Sequence, residues 1–163
     1  MLDLACTLAG FNRQYGRLLV ADLADADLAD QPTPGATHPA WVLGHLAIAA
    51  DFALALLGAA ATSPPEWRAL FGPGSPVLAD RAAYPSKAEL VAAVEAGQDR
   101  LLAAARAAPP ELLSRPQPGP FYREDFATVG ELVAHLMTTH ASLHLGQIAA
   151  WRRARGLPAA LGI

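Results

Sequence analysis

Toward the end of the chain, apolar residues recur at the spacing of one helix face. Val129, Val133, Leu136, Met137, His140, His144, Ile148 and Trp151 follow the i, i+3, i+4, i+7 rule. This stripe constrains the fold more than any other feature, because a helix this long has to bury it against other helices. Two of its members are histidines, four residues and one turn apart on the buried side. A buried imidazole needs polar partners. One metal ion held between the two satisfies a nitrogen of each.

Three further segments have helical periodicity. The first covers about residues 2–23, with Leu4, Leu8, Phe11, Tyr15, Leu18 and Leu19 as its apolar face. The second covers about 39–57, opens on Pro39, and carries Trp41, His45, Ile48, Phe52 and Leu56 on one side. The third begins after Ser86, whose spacing to Glu89 makes a capping box, and runs to about residue 107. The last runs over about 127–155, with a second capping box from Thr128 and Glu131, and Gly156 and Pro158 end it. Proline-rich breaks separate these segments. They lie at residues 30–35, at 62–85 (Pro64, Pro65, Pro73, Pro76, Pro85), and around Pro116, Pro118, Gly119 and Pro120. Within the longest, Trp67, Leu70 and Phe71 are expected to pack as a short helical turn. The pattern predicts an all-α four-helix bundle with long Pro-rich connections, one domain over residues 1–163.

Composition excludes several classes. Hydrophobic residues are 53% and charged residues 17%, which argues against disorder. A net charge of −3 provides no broad basic surface for a nucleic acid. The one basic cluster, Arg152, Arg153 and Arg155, suits a helix C-terminus; an anchor for an anionic substrate is the sharper alternative. Cys6 is the only cysteine, so neither an internal disulfide nor a thiolate zinc site can form. The apolar stretch 41–61 is interrupted by His45 and Asp51 and reads as a buried bundle helix rather than a membrane span. The N-terminus lacks a basic region of the signal-peptide kind, and a cytoplasmic location is expected. No GxSxG, P-loop or GxGxxG motif is present.

His45 is the third candidate ligand. With His140 and His144 it would make a three-histidine site with positions open to water or substrate. Gln147, three residues after His144, could bond a ligand or a water behind it. Asp51 is open to three readings: a carboxylate behind the site, a cap, or a solvated side chain. His38 precedes Pro39 and is expected at the surface. His135 is off the stripe and is given no ligand role. A strip of Leu132, Leu136, Thr139 and Leu143 could form a dimer interface or extend the core.

The segments Trp41-Val42-Leu43-Gly44-His45-Leu46-Ala47 and His140-x-x-x-His144-x-Gly146-Gln147, with the Arg152-Arg153-x-x-Gly156-Leu157 ending, resemble the DinB-like superfamily of metalloenzymes. That group includes bacillithiol and mycothiol S-transferases. The resemblance implies a four-helix bundle of unusual mirror topology, often dimeric. It also implies a divalent metal such as zinc or nickel on three histidines, which map onto His45, His140 and His144. Better-known members often have His-Arg around the last ligand, where this chain has Leu143 and Leu145. The expected activity is a metal-dependent thiol-S-transferase, in which a low-molecular-weight thiolate attacks an electrophilic small molecule. A metal-dependent hydrolase and a non-catalytic, stress-related metal- or ligand-binding bundle are the alternatives. Beyond the metal no catalytic side chain is singled out. A homodimer is expected, with no nucleic-acid or membrane partner.

Overall fold

The structure, a computed structural model, describes residues 2–119 and 121–161. Pro120, one residue of the third proline-rich break, lies outside them. Four long helical segments form the body: α1 (Asp3–Val20), α2 (Pro39–Leu56), α4 (Lys87–Ala107), and a final segment made of α6 (Val129–His135), a π-turn (Leu136–His140) and α7 (Ala141–Ala154). Two short helices, α3 (Trp67–Phe71) and α5 (Pro110–Leu113), lie in the connections. No strand occurs among the described residues; Pro116 and Thr128 make one isolated bridge.

The helix boundaries follow local chemistry. Ser86 accepts from the Glu89 amide while the Glu89 carboxylate accepts from the Ser86 amide, and Thr128 and Glu131 repeat the arrangement. Gly156, at φ +69°, turns the chain just past α7. α2 is apolar nearly all round and is the central helix, buried from Pro39 to Ala47 and packed most extensively on α4. Among the described residues, it alone is long and apolar enough to cross a membrane. Since 67% of it is buried inside the protein, it reads as a core helix.

The expected face of α1 is only partly buried. Leu19 is in the core and Tyr15 packs against it, as expected. Leu4, Leu8, Phe11 and Leu18 are exposed, Leu4 at 71%, while Ala5, Cys6, Asn12 and Val20 are buried. Small residues decide this, because they let α1 approach the last helix closely. A Cβ added to Gly16 would lie 3.2 Å from Leu145. The strip on the last segment extends the core, the second of its two readings, at Leu132 and Leu136, and of its leucines only Leu143 is exposed.

His38 is not a surface residue. It is fully buried, accepts from the Trp41 amide at the start of α2, and donates from Nε2 to the Leu78 carbonyl at 2.8 Å. It joins the first turn of α2 to the long connection, where Trp67, Phe71 and Tyr84 stack under the bundle.

Candidate metal centre

α2 presents His45, the π-turn presents His140, and the first turn of α7 presents His144. One nitrogen of each lies within 4.8 Å of the other two, so the three could hold a metal ion. His45 and His140 are buried and His144 is partly exposed.

The hydrogen bonds set the ring orientations. His45 Nδ1 donates to the Phe71 carbonyl at 2.8 Å, and His144 Nδ1 donates to Gln147 Oε1 at 2.9 Å. Each ring therefore presents a lone pair at Nε2. The Nε2 atoms of His45 and His140 stand 3.2 Å apart. At that distance a neutral His140 can donate its Nε2–H to the His45 lone pair, or a cation can lie between two lone pairs. Two nitrogens sharing a tetrahedral zinc at about 2.0–2.1 Å stand about 3.3 Å apart, so the pair fits an ion.

A charged imidazolium is disfavoured. Burial pushes all three imidazoles below their ordinary pKa. For His140 the value falls to about 3, through burial first and then repulsion from His144, His45 and His135. Three neutral rings whose nitrogens converge are the kind of donor set that suits a divalent metal, with the His140 proton on Nδ1 when the ion is bound.

The long connection is part of this site. Phe71 at the end of α3 supplies the carbonyl that orients His45, and its ring packs where a side chain on Gly44 would stand. Trp41, one turn before His45, stacks on the His45 ring at 4.7 Å between centroids and 9° between planes. Its indole N–H donates to Ser75 of the same connection. The sequence offered signals for both residues: a glycine inside an apolar helix, and a tryptophan four residues before a candidate ligand.

The π-turn interrupts what the sequence reads as one continuous helix, and it ends on the first HxxxH ligand, His140. Asn12 on α1, buried, donates to the carbonyls of Met137 and Thr138 inside the turn and accepts from Ser142 Oγ. A π-turn loosens the regular ladder of backbone bonds, and Asn12 supplies partners there.

Other candidates lie elsewhere. Asp51, inside α2, ties down the start of the long connection: its carboxylate accepts from the Thr62 amide and hydroxyl and from the Ser63 amide, and so is committed away from the histidines. Arg152 is buried and committed to Asp22 and to the carbonyls of Leu19 and Pro158, which removes it as a substrate anchor. Arg155 pairs with Asp27 and Asp30 and lies over the Trp151 ring. Leu143 is exposed at 68% and Leu145 is in the core.

The family model described as the DinB superfamily matches residues 11–148, a span that holds all three histidines. No curated protein and no solved structure matches the chain.

Proposed function

The chain belongs to the DinB superfamily, and on that premise we propose that it is a metal-dependent enzyme that transfers a low-molecular-weight thiol to an electrophilic small molecule. The observation that carries the metal-dependent part is the convergence of His45, His140 and His144, with two Nδ1 atoms committed to carbonyl oxygens and the Nε2 atoms turned inward. Zinc or nickel suits imidazole donors.

His45, His140 and His144, as neutral imidazoles, would leave a bound divalent ion its full charge, and such an ion would favour the thiolate form of a thiol. The chain's own residues position the donors and exclude water. Phe71 and Gln147 hold two of the rings, and Trp41 covers the flat side of His45. In the transfer, the thiol's proton passes to solvent water, the thiolate sulfur forms a bond to the electrophilic carbon, and the leaving group departs with its bonding pair. Among the described residues, the hydrogen bonds and ring contacts of the three histidines go to Phe71, Gln147, Trp41, His135 and each other. A divalent metal would lower the pKa of a bound water as it would that of a thiol, so a requirement for thiol is what separates transfer from hydrolysis. A cytoplasmic location and a homodimer complete the reading. The exposed apolar ridge of α1 is the surface in favour of the second.

The test is an assay of zinc- and nickel-loaded protein with a chromogenic aryl halide and a panel of small thiols. Conjugate formation that needs both metal and thiol, and is lost in His140→Ala/His144→Ala, is the expected result. Turnover without thiol would replace transfer by hydrolysis. No turnover by a metal-loaded protein across the panel would favour a non-catalytic binder.

A further inference from the structure

His45 and His144 each have a hydrogen-bond acceptor behind the ring, and His140 has none. Its Nδ1 is buried without a partner among the described residues. A metal ligand that holds an ion through Nε2 carries its proton on Nδ1 and needs an acceptor there, which fixes the ring and raises its basicity. One other histidine nitrogen is buried without a partner, Nε2 of His135. The two rings meet edge to face, with centroids 5.9 Å apart.

The remaining atoms of His135 decide what that nitrogen offers. Nδ1 stands 2.9 Å from Thr139 Oγ1. With Nδ1–H donating to the hydroxyl, Nε2 keeps a lone pair and is an acceptor. The Phe126 ring stacks on one side of His135 at 4.6 Å, and Tyr122 meets it at 5.0 Å, so the imidazole is held in place. A buried donor and a buried acceptor on neighbouring rings are complementary, and leaving both unmade costs free energy.

We propose that His135 is the positioning residue for His140: its Nε2 accepts the His140 Nδ1–H through one bridging water, and so completes the support of the three-histidine centre. The π-turn makes the placement possible. Five residues in an α-helix turn by about 500°, which would set the two side chains about 140° apart. The wider π-turn, bonded from i to i+5, narrows that angle and brings His135 to His140. The same shift explains why His135 is off the stripe in the sequence yet beside the site in the fold.

This inference rests on the metal-binding reading, and the experiment separates the two. Zinc affinity is measured by competition with a chromophoric chelator for the parent, His135→Phe and His135→Gln. Phenylalanine keeps the stacking on Phe126 and Tyr122 and removes the acceptor; glutamine keeps an acceptor oxygen. The expected result is one zinc per chain in all three, with affinity about 10–100-fold weaker in His135→Phe and largely restored in His135→Gln. In the zinc-loaded parent, long-range nitrogen–proton spectra should place the His140 proton on Nδ1 and leave His135 Nε2 unprotonated, a readout that needs no variant to fold. Equal affinity in parent and His135→Phe, or a proton on His135 Nε2, would overturn the assignment while leaving the metal site standing. A parent that binds no zinc would bring down both.

Discussion

Replacing Arg152 by alanine is expected to destabilise the chain by about 3 kcal/mol and to lower its Tm by about 6–12 °C. The guanidinium, 3% exposed, donates to Asp22 at 2.5 and 2.9 Å, to the Leu19 carbonyl at 2.9 Å and to the Pro158 carbonyl at 3.1 Å. Leu19 is in the last turn of α1, where carbonyls lack helical partners. Arg152 therefore closes α1 and ties the tail after α7 to it. Alanine leaves both carbonyls short of a donor and opens a cavity. Asp22 is half exposed, so the ion pair itself contributes the smaller share. Arg152→Met, which fills the space, should cost less. Chemical denaturation checks the loss, and metal content should be unchanged in both variants. An unchanged Tm in Arg152→Ala would mean that the buried network contributes nothing.

Gly44→Ala is expected to cost about 1–3 kcal/mol and to weaken metal binding. Helix propensity alone favours alanine by about 1 kcal/mol. A Cβ at this position, however, would lie 2.3–2.4 Å from three ring atoms of Phe71, itself fully buried, so overpacking wins. Moving Phe71 also moves the carbonyl that orients His45. Gly146 is the control. It stands in α7 with nothing within 4 Å of where a methyl would sit, and Gly146→Ala should stabilise by about 0.5–1 kcal/mol. Denaturation of the two variants, with zinc affinity beside it, checks the contrast. Equal effects of the two substitutions would refute the packing account of Gly44.

The contrast between these glycines indicates what a sequence can and cannot transmit. Both stand in the motifs that carry the family resemblance; Gly44 is set apart locally only by its apolar helix, and what decides its cost is the ring of Phe71, far from it along the chain. Features set within one turn were legible. Ser86 with Glu89 and Thr128 with Glu131 marked helix starts, and the structure forms both capping boxes. The all-α class followed from periodicity and Pro-rich breaks. His45, His140 and His144 were each legible as inward-facing, and the fold brings them together.

Features set by closeness between helices were not legible. On α1 Leu4, Leu8, Phe11 and Leu18 lost to a face of Ala5, Cys6, Asn12 and Gly16, because a small face allows close packing and a hydrophobicity count does not register that. His38 was expected in water because a loop before proline is usually exposed, but Tyr84 and Leu78 of a distant connection cover it. Arg152 reads as a surface charge until Asp22 and two carbonyls are seen around it. His135 was assigned by a 100° step that the π-turn does not follow.

The central claim is that His45, His140 and His144 hold one divalent metal ion. Elemental analysis of the purified, untagged protein tests it most directly, as isolated and after incubation with zinc or nickel, beside His140→Ala/His144→Ala. The account predicts about one ion per chain in the parent and close to none in the variant, with the variant still helical by circular dichroism. A parent without metal after incubation, or a folded variant that retains as much metal as the parent, would contradict it.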